Sequence, residues 1–521
     1  MASATESTPL PAAWQAAFER DRAGIRMGAN PIPDRRAARL LAAFIAAGLF
    51  FLAFPGTLIG VGNLLLIAME RLPTAPRPAW IQAHGQAQVL GWVGSFILGI
   101  SLFMLPKLRR LANRRMEWGW LAWSLWTAGA IIRWRAGTSA TDPRVWLIAA
   151  ALLFLAGFGL VQAIIWQPAR PSPSRDRALP TLAATGFCGL AVALLVNLAG
   201  AWMSAAGTGA LPAPLDRTLV ALEIWAFIVP AAAGFSTRFV ASALGLRQHR
   251  FTARPLLWLQ AGVAILVLAA LTQVFMAADV VALAIVAGLV WGLRIFDLRK
   301  EPGERAPKRE GVYGGYTVFL RIAFAWLCLG AALGVIAPLL PGHPGFAGAS
   351  RHAVTVGFFV TLIFCVGPRI LPSFLNRRKL FSISLMACSL WLLTAGCLMR
   401  VVSEAAAYGA LHSGAWVWLP VSTYTELIAI VLFVINLAGT LLQREPVWFR
   451  LETITGSTPL CWYTSSYPRT RAVLEGAGVT TLKRVRIVPR SLSLEEAAEA
   501  DEVPVEHLVS ALREHFRTKQ S

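Results

Sequence analysis

Seven histidines occur in the 521-residue chain, and two of them stand at the start of long apolar runs. His84 lies in Trp80-Ile-Gln-Ala-His84-Gly-Gln-Ala-Gln-Val-Leu-Gly-Trp92, well before Pro106, with Lys107 just beyond. On an ideal helix the stretch from His84 to Pro106 is about 33 Å, close to the thickness of a bilayer core. His352 opens Arg351-His-Ala-Val-Thr-Val-Gly357 and precedes the basic run Arg377 to Lys379 by a similar distance. Two neutral imidazoles at matched depth on two helices can hold a haem iron from both sides. Gly85 and Gly91 would leave room for a flat macrocycle beside His84. The competing reading is that each histidine only hydrogen-bonds at the membrane interface. His343, in Pro341-Gly-His-Pro-Gly, and His412, in Leu411-His-Ser-Gly, fall in loops on the same side; they are the candidates for copper, or for one haem coordination, if they are not simply solvated. His249, His507 and His515 fall on the opposite side or in the tail. Two carboxylates, Glu223 and Glu426, lie inside apolar runs, where charge is costly and faces a polar interior. Glu223, near the same end as the histidines, is a candidate for a proton or metal role. Arg238 and Arg369, near the other ends, snorkel or cap helices.

The elements that must carry these residues are membrane helices. Hydrophobic residues make up 56% of the chain and charged ones 14%, with 20 tryptophans and a mean hydropathy of +0.59. A soluble globular domain carries about 25% charge, so that class is excluded. Apolar runs at 40–68, 79–104, 116–135, 145–166, 181–203, 217–244, 255–277, 279–297, 317–341, 350–372, 380–400 and 417–442 predict about twelve spanning helices. The net charge of +21 would suggest nucleic acid on a soluble chain. Here the basic residues crowd alternate loops, as in Lys107, Arg109, Arg110, Arg114 and Arg115, or Arg299, Lys300, Arg305, Lys308 and Arg309. That asymmetry is topological and places those loops and both termini in the cytoplasm. The segment 1–38 contains no secretory signal pattern, so the first spanning helix is expected to direct insertion. Six cysteines, never as CxxC, support no disulfide framework.

An internal repeat relates the second, sixth and tenth segments. Phe235-Ser-Thr-Arg238-Phe-Val-Ala-Ser-Ala-Leu244-Gly-Leu-Arg247 matches Val366-Gly-Pro-Arg369-Ile-Leu-Pro-Ser-Phe-Leu375-Asn-Arg-Arg378 without a gap, Arg238 falling on Arg369 and Arg247 on Arg378. The stretch from Ile100 to Arg110 falls on the first of these in the same way, Ile100 on Phe235. The expected fold is therefore all-α: twelve helices in three pseudo-repeated four-helix arcs. The domains read as a cytoplasmic N-terminal segment at 1–38, a transmembrane domain at 39–445, and a small soluble helical domain at 450–521. In that tail, Ser493-Leu-Glu-Glu has the form of a capped helix start.

These residues also carry a resemblance. His84-Gly-Gln-Ala-Gln-Val-Leu-Gly-Trp-Val-Gly, running to Leu105-Pro106-Lys107-Leu108, resembles the haem-ligating second helix of subunit I of the haem–copper oxidases. His352-Ala-Val-Thr-Val-Gly357 resembles the corresponding motif of the NnrS family, twelve-helix bacterial membrane proteins that bind haem and copper and are linked to nitric oxide and nitrosative stress. The resemblance spans about 38–445, with specific motifs at some 60 positions. It implies b-type haem on His84 and His352, copper as a second metal, an inner-membrane location, nitric oxide as a ligand, and a periplasmic or quinol electron donor. A complete oxygen-reducing oxidase needs six histidines. The outer side of this chain offers at most four, the seventh segment has none, and the sixth has Glu223 and Trp225 where a copper histidine belongs. The tail, in Tyr467-Pro-Arg-Thr-Arg-Ala-Val-Leu-Glu-Gly-Ala-Gly-Val479 and Leu494-Glu-Glu-Ala-Ala498, resembles a small helical domain of unknown function related to the N-terminal domain of iron–sulfur repair proteins. It lacks that domain's paired cysteines, so binding of a cytoplasmic protein is expected of it rather than redox chemistry.

Three functions follow as alternatives: a haem protein that senses or limits nitric oxide damage, a reduced relative of nitric oxide reductase with Glu223 supplying protons, or a haem-free transporter lined by Asn63, Gln86, Gln88 and Glu426. A bis-histidine iron has no open position, which favours the first.

Overall fold

The computed structural model describes residues 9–23, 35–109, 111, 116–138, 141–168, 177–246, 249–297, 311–375, 377, 379–408, 412–443, 451, 454–466, 468–485, 488–489 and 491–517. The basic residues Arg110, Arg114, Arg115, Arg170, Arg175, Arg247, Arg299, Lys300, Arg305, Lys308, Arg309 and Arg378 lie outside them. Among the described residues there is no strand, only one isolated bridge between Pro459 and Ser493.

After a short helix α1 (Ala12–Ala23), twelve long rods follow: α2 (Arg36–Glu70), α3 (Pro78–Leu108), α4 (Met116–Thr138), α5 (Pro143–Ile165), α6 (Ala178–Met203), α7 (Ala213–Leu244), α8 (Ala253–Leu271), α9 (Phe275–Leu293), α10 (Tyr316–Leu339), α11 (Gly345–Phe374), α12 (Ile383–Tyr408) and α13 (Ala415–Leu442). Prolines that need no N–H start α3 and α5, and a left-handed Gly245 (φ 76°) closes α7. Eleven rods are long and apolar enough to cross a membrane. The remaining one, α4, spans 23 residues but holds five tryptophans and the buried Arg133, which lower its hydropathy.

The three rods related by the sequence repeat are the inner ones. The most apolar stretches of α3, α7 and α11 are 89%, 83% and 72% buried, against 33% for α8, α10 and α13. Each also carries a wide π-helical segment, Ala87–Gly94, Leu222–Ile228 and Ala353–Val360. The registers that place Ile100 on Phe235 and Phe235 on Val366 also place Ala87 on Leu222 and Leu222 on Ala353, so the repeat is architectural. A π turn interrupts the α-helical ladder and re-aims side chains and carbonyls, which is why such turns gather at functional sites. A fourth π segment, Leu52–Leu58 in α2, surrounds Pro55, which cannot donate to the ladder.

The chain divides into two compact units: 39–443, and the N-terminal residues with 444–521. Trp14 and Ala17 of α1 are fully buried in one core with Leu460, Tyr463, Leu508 and Leu512. Arg20 pairs with Glu496 at 2.7 Å, and the Ser491 hydroxyl donates to the Ala17 carbonyl at 2.9 Å. The capping box forms as its sequence pattern requires, Ser493 Oγ accepting from Glu496 N–H at 3.0 Å and Glu496 Oε2 from Ser493 N–H at 2.9 Å. Removing a buried tryptophan costs about 3–5 kcal/mol. In the 521-residue chain, Trp14→Ala should therefore open 454–517 to limited proteolysis, and an unchanged digestion pattern would refute the shared core.

If α4 crosses as well as the eleven apolar rods, the twelve expected spans are complete. Reporters inserted in 109–115 and 139–142 are expected on opposite faces; reporters on one face would exclude the crossing.

Candidate functional site

The N-terminal third of α3 carries four polar residues at alternating positions, Gln82, His84, Gln86 and Gln88. Helical geometry sorts them into two i,i+4 pairs on different faces. His84 and Gln88 point at α2, whereas Gln82 and Gln86 point at α4 and α7.

On the α2 side, His84 Nδ1 lies 2.7 Å from the Gly56 carbonyl, within the π segment around Pro55. A carbonyl only accepts, so Nδ1 carries the proton and Nε2 presents a lone pair. The space is made by glycine: a Cβ at Gly60 would sit 2.5 Å from His84 Cε1, and one at Gly56 would sit 2.7 Å from Gln88 Nε2. A Cβ at Gly85 would meet nothing within 4 Å. Gly91 serves another purpose than the expected one. A Cβ there would collide with Phe51 at 2.8 Å, so it admits α2 rather than a macrocycle.

His352 is the last residue before the π segment of α11, and its Nδ1 lies 2.8 Å from Glu404 Oε2 and 3.1 Å from the Gly348 carbonyl. Its Nε2 lies 3.3 Å from Arg400 Nη2, and Arg400 Nε lies 3.1 Å from Glu404 Oε1. Tyr408 Oη donates to the same carboxylate at 3.5 Å. Gly345 and Gly348 let α11 cross α12 closely enough for this: a Cβ at Gly345 would collide with the Glu404 backbone oxygen. His352 and Arg400, 3.3 Å apart, both bear electrostatically on His84. The helices are equivalent, but the histidines are not at equivalent positions. His84 precedes its π segment by three positions and His352 by one, and the repeat partner of His352 in α3 is Gln86.

Glu223, in the π segment of α7, is reached from the opposite face of α3. Gln86 Nε2 donates to both of its oxygens at 3.0 Å. Arg133 and Asp216 act on it electrostatically. Arg133, 2% exposed, donates to Gln82 Oε1 at 3.4 Å; Gln82 in turn joins the Leu211 N–H at 2.7 Å and its carbonyl at 3.0 Å. Arg133 Nε and Nη1 and Gln86 Oε1 remain buried without a partner, the mark of a polar pocket that accommodates water or a ligand. Glu426 packs on Gly396, coupled electrostatically to Arg400, His352 and Glu404.

His343 packs edge-on against Phe346, and the exposed His412 accepts the Gly414 N–H on its Nδ1 at 3.1 Å. Among the described residues, no three His, Cys, Asp or Glu side chains are placed to hold one metal ion.

Glu404, Arg400 and Arg133 were missed from sequence. Arg400 and Glu404 fall where the apolar run fades, which reads as the end of a span. Their signal is the i,i+4,i+8 spacing of Arg400, Glu404 and Tyr408, one polar stripe on a helix that continues.

Two histidines with Nδ1 engaged and Nε2 turned elsewhere form a donor set for a transition metal or a haem iron, each imidazole oriented by an outer acceptor. In overall fold the chain is similar to a chain from the cryo-EM structure of a heme-copper terminal oxidase dimer: TM-score 0.63, 11% identity, covering 93% of this chain and 99% of that one. Among curated proteins, none matches it in sequence. The family described as NnrS protein matches residues 27–444, which include every rod from α2 to α13 and all of the site above. This polytopic helical chain belongs to the NnrS family.

Proposed function

We propose that the protein is a haem-binding inner-membrane protein of nitric oxide metabolism or nitrosative-stress resistance, with His84 and His352 as the ligands of one b-type haem iron. The observation that carries this reading is that both imidazoles are engaged through Nδ1, His84 by the Gly56 carbonyl and His352 by the Gly348 carbonyl and Glu404, which leaves Nε2 as the nitrogen that can ligate, on His352 beside Arg400 Nη2. Family membership and the oxidase-like fold support it. A bound haem supplies a one-electron iron couple whose potential follows its axial ligands. The chain's own part is to orient the imidazoles and to keep water out with the apolar inner rods. Arg133 and Arg400, both buried and each with an N–H group that meets no acceptor, supply positive charge inside the bundle.

A second reading has one observation in its favour. Arg400 Nη2 already occupies His352 Nε2, so an iron held by His84 alone would keep an open position for nitric oxide. Oxidised and dithionite-reduced spectra of the detergent-purified protein, with and without nitric oxide, separate the cases. Sharp reduced bands indifferent to nitric oxide support the bis-histidine site, and nitric-oxide-sensitive bands support the open one. Absence of a Soret band from protein made with ample haem would overturn both and favour a transporter.

A further inference from the structure

We propose that Glu404 is a positioning residue that makes the two iron ligands chemically unequal, so that His352 is the stronger electron donor of the pair. The inference rests on the haem reading above and concerns what surrounds the ligands.

The two imidazoles are held by different acceptors. His84 Nδ1 faces a neutral peptide carbonyl, that of Gly56, at 2.7 Å. His352 Nδ1 hydrogen-bonds to the Gly348 carbonyl at 3.1 Å and also lies 2.8 Å from the carboxylate oxygen Glu404 Oε2, an ion-pair contact with a buried charge. A buried negative charge this close to the N–H favours positive charge on the ring and draws the proton toward the carboxylate side. That shift raises electron density on the opposite ring nitrogen, the atom that binds iron, and so raises ligand basicity.

The surroundings keep Glu404 in this role. The residue is 2% exposed, so water does not compete for its oxygens. Arg400, one turn earlier on α12, lies 3.1 Å from Oε1 and stabilises the negative charge that burial opposes. Tyr408, one turn later, donates to the same oxygen. Oε2 is thereby left to His352. Glu426, the other carboxylate coupled to this group, comes from α13 and makes no hydrogen bond to the imidazole. Gly348 has a structural part as well: a Cβ there would sit 3.1 Å from Glu404 Oε2 and push the carboxylate off the ring. No comparable charged acceptor stands behind His84 among the described residues.

The test is redox potentiometry and low-temperature EPR of the haem in the full-length protein, for wild type, Glu404→Gln, Glu404→Asp, Gln88→Ala and His352→Ala. Glu404→Gln keeps the shape and removes the charge. Outer-shell partners of this kind change metal affinity about 10- to 100-fold. A loss of that size in ferric over ferrous preference is a rise of about 60–120 mV in midpoint potential for a one-electron couple. Glu404→Asp should return part of the shift, and Gln88→Ala, which touches the α2 side only, should leave the potential in place. If His352→Ala changes the spectra but both Glu404 variants match wild type in potential and EPR, this proposal is overturned while the ligand assignment stands. If His352→Ala leaves a haem-loaded protein unchanged, the ligand assignment itself fails and takes the proposal with it. Should Glu404→Gln not accumulate in folded form, Glu404→Asp decides: an intermediate potential supports the proposal and a wild-type potential overturns it.

Discussion

His84→Ala should purify as a folded membrane protein that has lost at least about 100-fold in haem affinity, because a ligand contributes more than the outer-shell groups whose removal costs about 10- to 100-fold. Gly60→Val should produce much of the same loss without touching the histidine. The Gly60 Cβ position is already 2.5 Å from His84 Cε1, so a branched side chain must turn the ring away from the Gly56 carbonyl. The ring would then lose its fixed tautomer as well as its direction. Gln88→Ala is the control, since Gln88 reaches Thr57 at 3.4 Å and not the imidazole bond. Haem stoichiometry, measured against protein by pyridine haemochrome, reads all three. Full occupancy in His84→Ala would remove His84 from the site, and full occupancy in Gly60→Val would show that the ring has another way to bind.

The second large effect concerns stability. Arg133 is fully inside the protein and supplies positive charge to the layer that holds Glu223 and Asp216. Removing one partner of a buried ionic group costs about 3–5 kcal/mol, because the other charge stays buried without compensation. Arg133→Met should accordingly lower the thermal unfolding midpoint in detergent sharply. Glu223→Gln alone should cost less, since Gln86 can still bond a neutral amide. The double variant, Arg133→Met with Glu223→Gln, should regain most of the loss, with Asp216, which is partly exposed, left to solvent. The cycle is measured by fluorescence-detected unfolding of the four proteins. Strict additivity would mean that Arg133 acts on something other than Glu223.

How much of the site is legible in the sequence follows the range of the forces involved. The class of protein, the rods and their order are local properties: runs of apolar residues partition into lipid wherever they occur in a chain. His84 and His352 stand out because each opens such a run, and the sequence repeat marks their helices as equivalent without any knowledge of the π segments in α3, α7 and α11. The capping box at Ser493 is a contact over three positions and is read directly from the sequence. In contrast, Gln86 meets Glu223 across 137 positions and His352 meets Arg400 across 48. Any of several polar residues satisfies a local pattern equally well, so the partner is chosen by packing. Gly91 illustrates this, since its missing side chain suggests room for a ligand and the fold gives that room to Phe51. Trp14 illustrates it again, in a short helix whose composition fits a free segment and whose indole fills the core of a tail at the far end of the chain.

What the sequence by itself determined is therefore the helical membrane architecture, its threefold repeat and the two histidines at the head of the second and tenth helices. The tertiary structure alone decided that Gly56 and Glu404 stand behind those histidines, that Arg133 faces Glu223's pocket, and that α1 belongs with the tail. Apolarity is a property of one segment, whereas hydrogen-bond partners are a property of two segments at once, and only the close crossing of glycine-lined helices brings those two together.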